Sequence, residues 1–398
     1  MKIRIKLTSR SVLISLCVAF LLFSNIFSPV LGQGTKESQV QTLLQQLQGN
    51  DKQVRLAALQ QVKKLGIEAK AAVPALAQLL KEPDDELRVN ATEALGRMGA
   101  EARTAIPALT EALKDRLASV RGNAAFALAQ IGVDAKSAAP ALGELLKDPQ
   151  PWPRGNAAFA LGRIGEAKNH LPTLMGLLND PSDNVRRDAA DAIGRAGADA
   201  KTAVTALIGL LKDKNAPVRR YTAEALARIG PGAKPAIPGL IETLQDQEFV
   251  VRTYSAYALK AIGMEPKEAV PVWLGLLKDQ HEHLRSYAAD ALGAIGPVAS
   301  TSATSALIEA LKDQDRFVRL SAAKALGKFG TAAKTAIPQL TELLKDKEPL
   351  VRSNAAEALG RMGAEAKSAL PALIELQKDD ATVVRLAVRE AISKINSP

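Results

Sequence analysis

The sequence predicts an all-α fold, a right-handed α-solenoid (superhelix) of about eleven two-helix repeats, on three observations. An Arg recurs at Arg55, Arg88, Arg121, Arg154, Arg186, Arg219, Arg252, Arg285, Arg319, Arg352 and Arg385, in steps of 32 to 34 residues. Eleven residues after each of the first ten stands a Gly, from Gly66 to Gly363, with Asn396 in the last unit. Six residues before nine of the eleven Arg lies an Asp: Asp115, Asp148, Asp180, Asp213, Asp246, Asp279, Asp313, Asp346 and Asp379. Such a period is the signature of stacked supersecondary units. Eleven units of 33 account for almost all of residues 33–398, so no stretch remains for a separate catalytic domain.

Taken in order, the chain opens with Lys2, Arg4, Lys6 and Arg10 and no acid, then an apolar run from Ser11 to Phe27 and a small residue at Gly32. That pattern predicts a signal peptide over 1–32, cleaved after Gly32, with an uncleaved membrane anchor as the alternative. Leu16 before Cys17 is too large for a lipoprotein cleavage site. Export to a periplasm, a lumen or the extracellular space is expected, and loss of the segment lowers the net charge from +10 to +6. The remaining chain, 33–398, reads as one continuous solenoid.

Within it, residues 105–132 show the unit. Pro107 suits the first turn of a helix, where its missing N–H costs nothing. Leu109, Ala112 and Leu113 follow at helical spacing. Arg116 to Ser119 reads as a turn. A second helix then buries Val120, Ala124, Leu128 and Ile131, and Gly132 ends it. One such pair cannot bury its own apolar face, so the units must stack. Hydrophobic residues make up 47% of the chain but aromatics only 4%, so Ala and Leu build the core and helices approach closely.

The only cysteine, Cys17, lies in the leader, which excludes a disulfide framework, a Cys-ligated metal and a thiol nucleophile from the rest. Three histidines remain, His170, His281 and His283. His281-Glu282-His283 sits at an inter-helix turn with no second pair behind it, so neither a metal nor any other cofactor is expected.

Ala-Ile-Pro-Ala-Leu (105–109), Leu-Lys-Asp (113–115) and Val-Arg-Gly-Asn-Ala-Ala-Phe-Ala-Leu-Ala-Gln-Ile-Gly (120–132) resemble the HEAT repeat, in the short form known from phycobilisome lyase subunits. The resemblance covers essentially all of 33–398. It implies that the matching Asp and Arg bind along the stack as a structural ladder, among them Asp115, Arg121, Asp148, Arg154, Asp213, Arg219, Asp246, Arg252, Asp279 and Arg285. It also implies that second helices line the concave surface. Two enzyme readings come with it, a bilin lyase and a deoxyhypusine hydroxylase-like protein. The first acts on the cytosolic side, against the signal peptide, and the second needs several His-Glu pairs where this chain has His281-Glu282 alone. No catalytic residue is assigned.

Functional information should lie where the repeats differ. Counted from the Arg, positions +2, +5 and +9 fall within about 60° of one another on the second helix. At +5 and +9, acid and base pair in the favourable i,i+4 order: Glu93/Arg97, Asp191/Arg195, Glu224/Arg228, Glu357/Arg361 and Glu390/Lys394. Local neutralisation of this kind argues against nucleic acid as a partner. At +2 stand Tyr221, Tyr254 and Tyr287 in three consecutive units, with Tyr257 on the same stripe, and Phe126 and Phe159 take the +5 place. Aromatic side chains bury large area at low entropic cost, which suits a protein or peptide partner; packing between helices is the competing reading. Trp152, between Pro151 and Pro153, occupies an inter-helix turn and joins the candidates, whereas Trp273 aligns with Leu109 and Leu142 and belongs to the core. The register breaks twice, by a deletion between Gly165 and Asp180 and an insertion between Gly296 and Asp313, where changes of curvature are expected. A non-enzymatic interaction scaffold is the function these features favour. A membrane is a partner only if the N-terminal segment is retained.

Overall fold

The computed structural model describes residues 36–397, and all regular structure among them is helical. The signal segment expected over 1–32 lies outside the described residues. Twenty-two α-helices form eleven consecutive pairs. They are α1 (Lys36–Gln48), α2 (Lys52–Leu65), α3 (Val73–Leu79), α4 (Asp85–Met98), α5 (Ile106–Ala112), α6 (Ala118–Ile131), α7 (Ala139–Leu145) and α8 (Pro151–Ile164). Then come α9 (Leu171–Leu177), α10 (Asp183–Arg195), α11 (Val204–Leu210), α12 (Ala216–Ile229), α13 (Ile237–Thr243), α14 (Phe249–Ile262) and α15 (Pro266–Leu276). The last are α16 (Glu282–Ile295), α17 (Ser300–Ala310), α18 (Arg316–Phe329), α19 (Ile337–Leu343), α20 (Pro349–Arg361), α21 (Leu370–Glu375) and α22 (Thr382–Asn396). Odd-numbered helices are the first of each pair and even-numbered ones the second. The chain divides into two compact units after Glu166, beside the one-residue deletion, so α1–α8 form the first unit and α9–α22 the second.

The repeat is richer than two helices. Each second helix from α2 to α16, and α18 and α20, is followed by a glycine at positive φ, such as Gly132 at φ 80°. In most repeats that glycine opens a 3₁₀ segment, as in Gly132–Ala138 and Gly230–Ala236, before the next first helix starts on its proline. Two alanines three residues apart mark it: Ala135/Ala138, Ala200/Ala203 and Ala333/Ala336 are fully buried, as a three-residue turn requires. The inter-helix turns are correspondingly shorter than the sequence suggests. α6 already begins at Ala118, and α8 begins at Pro151, so Trp152 lies in the first turn of a helix rather than in a loop. His281 is the N-cap position of α16, and Glu282 and His283 are its first residues.

Second helices pack side by side on small residues. A Cβ added at Gly194 would meet the Cα of Ala225 at 2.6 Å; at Gly327 it would meet that of Ala358 at 2.9 Å, and at Gly360 that of Ala391 at 2.7 Å. All these glycines stand at +8. In α14 the +8 residue is Lys260, and there α14 and α16 barely touch, while their counterparts elsewhere in the second unit pack along their length. The same junction lacks the 3₁₀ segment: Gly263 runs through Met264 and Glu265 directly into α15.

The Asp–Arg series closes along the stack. Arg121 donates through Nε and Nη2 to the carboxylate of Asp148 (2.5 and 2.9 Å), and through Nη1 to the carbonyl of Asp115 (2.7 Å). Arg88 to Asp115, Arg186 to Asp213, Arg219 to Asp246, Arg285 to Asp313, Arg319 to Asp346 and Arg352 to Asp379 repeat the fork. Arg55 uses Glu82 (2.7 Å), the acid that replaces Asp in its neighbour. Arg252 reaches Asp279 at 3.1 and 3.3 Å, a looser rung at the α14–α16 junction. Each Asp also accepts the N–H two residues on, as Asp148 does from Gln150 (2.9 Å), which fixes its own turn. Burial pushes the carboxyls of Asp148, Asp213, Asp246, Asp313 and Asp346 up, but the Arg bonds, the turn N–H and the nearby Arg charges outweigh it and hold all five below the ordinary range.

Three outcomes follow from this packing. Gly327→Val should cost roughly 1–3 kcal/mol by overpacking against Ala358, whereas Gly209→Ala, which meets nothing within 4 Å, should gain about 0.5–1 kcal/mol; urea denaturation separates them. Arg319→Met should cost about 3–5 kcal/mol by stranding Asp346, and Arg319→Met with Asp346→Leu should recover much of that loss. Because the folded carboxyls sit below their unfolded values, the rungs' contribution is present above the ordinary carboxylate range and lost as pH falls through the lowered folded values. The melting temperature should therefore hold from neutrality to about pH 5 and drop below about pH 4, and Asp246→Asn should flatten the acid limb.

Candidate functional site

The stripe at +2, +5 and +9 runs along the even-numbered helices, mostly exposed at +9 and half-buried at +2, and its chemistry changes from repeat to repeat. In the first unit, the rings of Phe126 and Phe159 stack with centroids 6.3 Å apart and 15° between planes. Phe126 is 40% exposed and lies over Gly96, where a Cβ would sit 3.4 Å from its Cδ1. Trp152, 49% exposed, rests one face on Gly122; a Cβ there would lie 2.5 Å from the indole Cε3. Gly122 is therefore the seat of Trp152, and the other face of the indole remains open. Asn90 and Asn123 are engaged with Glu86 and Val89 carbonyls, whereas the buried Nδ2 of Asn156 has no partner.

In the second unit the stripe begins as an ion network. Asp191, buried, accepts from Arg195 (2.8 Å) and from Arg228 of the next helix (2.7 Å), and Arg228 also holds Glu224 (2.6 Å). Asp188 pairs with Arg187 (2.8 Å), yet burial pushes its carboxyl up to about 6, against the Arg187 charge and hydrogen bond and with a further push from Asp191. Arg220 then links charge to aromatics. Its guanidinium lies 4.4 Å from the ring centroid of Tyr221 and 4.5 Å from that of Tyr254, and Nη2 donates to Tyr254 Oη (2.9 Å). Tyr221 and Tyr254 are thus half-buried walls of a cation clamp.

Farther along, Tyr257 is 53% exposed. Tyr287 meets buried Trp273 edge-on (6.1 Å, 69°), and Lys260 Nζ stands 4.7 Å from the Tyr287 ring centroid. The Tyr287 hydroxyl has no hydrogen-bond partner; burial, with smaller contributions from Tyr257 and Asp290, raises its pKa above the usual phenol value. Of the five acid–base pairs expected at +5 and +9, four close, Glu93/Arg97, Asp191/Arg195, Glu224/Arg228 and Glu390/Lys394. Glu357 and Arg361 form no ion pair: both are exposed, and water screens what little a surface pair would gain.

The remaining features sort by packing. His281 lies against Phe249 with ring centroids 3.9 Å apart and planes tilted by 34°, and among the described residues no three His, Cys, Asp or Glu side chains are placed to share a metal ion. A cavity of about 660 Å³ opens between α13 and α15 beside the loose Arg252–Asp279 rung. The stretch Glu282–Ala310 is apolar enough to cross a bilayer, but Gly296 at φ 79° divides it into α16 and α17, which pack within the stack. Sequence reasoning missed Arg220 and Lys260. The signal was there: Arg220 doubles the ladder Arg219, and Lys260 stands where most repeats carry Gly or Ala.

Asp188 gives this face a measurable signature. Its folded carboxyl lies above its unfolded value, so its contribution is full at low pH and is lost as pH rises through about 6. Asp188→Asn should raise stability at about pH 8 by roughly 1–3 kcal/mol and change it little near pH 4, read by thermal denaturation at the two values.

Comparison with known proteins fits this architecture. The crystal structure of an engineered protein from the Northeast Structural Genomics Consortium superposes with a TM-score of 0.53 over 90% of this chain and 99% of that one, at 22% identity, a likeness of fold. No curated protein matches the sequence. The family model described as HEAT repeats matches residues 40–129, 106–193, 171–260, 237–316, 271–335 and 304–393. With matches from residue 40 to residue 393, the chain belongs to the HEAT-repeat family.

Proposed function

We propose that this protein is an exported, non-enzymatic scaffold that binds a partner protein or peptide along the concave face lined by its second helices. The observation that carries the reading is the interruption of a self-paired charged stripe by aromatic clusters at two places, with Phe126 and Trp152 exposed in the one and Tyr257 in the other. Phe126, Phe159 and Trp152 form the first, and Tyr254, Tyr257 and Tyr287 the second. Charge-depleted aromatic centres with charged rims are the anatomy of protein interfaces. Around the second centre the +9 residues are Ala261 and Ala294, where Arg195 and Arg228 stand in earlier repeats. HEAT repeats generally mediate protein–protein contacts, and the short repeat form resembles that of phycobilisome lyase subunits. Export rests on the acid-free basic start and the apolar run that follows it.

The test is comparative capture from the native envelope fraction. Wild-type mature protein is set beside Phe126→Glu/Phe159→Glu and Tyr257→Glu variants that keep wild-type helicity and melting. One protein should be enriched by the wild type and depleted at least tenfold by a variant, the loss expected when a hot-spot aromatic is removed. Equal recovery by all baits overturns the reading. Mass spectrometry of the protein recovered from that fraction should give a chain starting at Gln33; a cytosolic, full-length chain removes the exported part of the proposal.

A further inference from the structure

We propose that the face shared by α18, α20 and α22 binds an acidic amphipathic helix of a partner protein. The proposal rests on the scaffold reading but uses a surface apart from the two aromatic centres. Two residues before the ladder Arg, Phe317, Leu350 and Val383 stand in three consecutive repeats, 48%, 56% and 42% exposed. Positions −2, +2, +5 and +9 recur at i, i+4, i+7 and i+11, so these residues lie on the face of the stripe. Gly327 and Gly360 let the three helices pack along their length, so the apolar residues form one row across the stack.

The other side of the same face is basic. Where several repeats pair an acid at +5 with a base at +9, α18 carries Lys324 and Lys328, both exposed and without an ion pair among the described residues. Arg361, at +9 of α20, lies over α18: its Cδ is 3.6 Å from where a Cβ would stand on Gly327, the neighbour of Lys328. The network around Asp191 shows what such a trio can hold. There the +5 carboxylate accepts from the +9 Arg of its own helix and from the +9 Arg of the next (2.8 and 2.7 Å). Lys324, Lys328 and Arg361 take the same three places, so both flanking cations are kept while the carboxylate between them has become a third cation. A carboxylate from outside supplies what this repeat omits.

Between the two rows the floor is low, because Ser321, Asn354 and Ala387 fill the +2 places that Tyr221, Tyr254 and Tyr287 take in earlier repeats. Phe317 and Lys324 are about 10 Å apart along α18, the width of one α-helix with its side chains. Seven residues of a helix laid across the stack also advance about 10 Å, close to the spacing of packed helices. A helix with an apolar residue at every seventh place therefore meets Phe317, Leu350 and Val383 in turn, and acids along its flank meet the cations. Glu357 and Glu390 stand within the face, so a uniformly anionic bilayer meets like charge there. The chain's own residues 1–32 carry four cations and no acid, which excludes them as the occupant.

The experiment is fluorescence anisotropy on the full mature chain with labelled three-heptad helical probes. One carries Leu at every seventh place flanked by Glu, the second has Lys for each Glu, and the third scrambles the acidic probe. The acidic probe should bind at least tenfold more tightly than either of the others. Lys324→Asp puts the Asp191 carboxylate into α18, so the melting temperature should not fall while affinity for the acidic probe drops at least fivefold. Phe317→Ser with Leu350→Ser should weaken binding at least tenfold with little change in melting, because both side chains are exposed. Equal binding of the scrambled probe, tighter binding of the Lys probe, or unchanged affinity in either variant overturns the proposal. Tighter binding to phosphatidylserine vesicles than to the acidic probe assigns the face to a membrane. A dimer in sedimentation that the serine variant abolishes assigns it to a second copy of this chain, and either result overturns the proposal. If envelope capture responds to the Phe126 or Tyr257 variants while the acidic probe fails, this inference alone falls. If the probe binds as expected and those captures show no difference, the two aromatic centres lose their role and this face keeps its own.

Discussion

The Arg–Asp rung is the interaction on which the rest of the structure depends. One guanidinium closes three links at once: it forks onto the Asp of the next repeat, ties back to the carbonyl of its own turn, and sits where that Asp already holds the following N–H. Arg suits this place because its planar fork matches a carboxylate with little further loss of freedom. A buried ion pair contributes little net stability against an apolar pair of the same shape. Its value here is registry. Repeats of nearly identical Ala and Leu composition would slide past one another at small cost, and a bidentate bond at a single spacing forbids that.

With register set, the small residues decide how closely the second helices stand. Gly194, Gly327 and Gly360 let the backbone of the next helix approach to a distance no side chain tolerates. Close packing of this kind buries the flanks of the second helices and leaves the stripe on the far side accessible. At the α14–α16 junction, where Lys260 stands in the small residue's place, the second helices barely touch, the rung lengthens and a buried hydroxyl has no partner. Lys260, the Arg252–Asp279 bond and the Tyr287 hydroxyl are one event seen at three places. The candidate recognition surface of the second unit thus arises from a local failure of the rule that builds the fold.

Two kinds of aromatic seat result. Trp152 and Phe126 rest on glycines, Gly122 and Gly96, and keep one side open. Tyr221 and Tyr254 instead enclose Arg220, so much of their area is already used inside the protein. The stripe therefore divides into residues that organise their neighbours and residues that still have a face to offer. Trp152, Phe126 and Tyr257 belong to the second group.

Periodicity alone determined the all-α class, the pairing of helices, the eleven units and the glycine ends, because stacking a repeated unit permits few solutions. The ladder was legible for the same reason: Asp and Arg recurring at one spacing must meet in every repeat or in none. Only the tertiary structure decided the 3₁₀ segments, the clamp around Arg220, the seat of Trp152 and the separation of α14 from α16. Each of these depends on which side chain in one repeat meets which in the next, at about 10 Å and some 33 residues away. A single sequence carries no record of that pairing until the helices are packed.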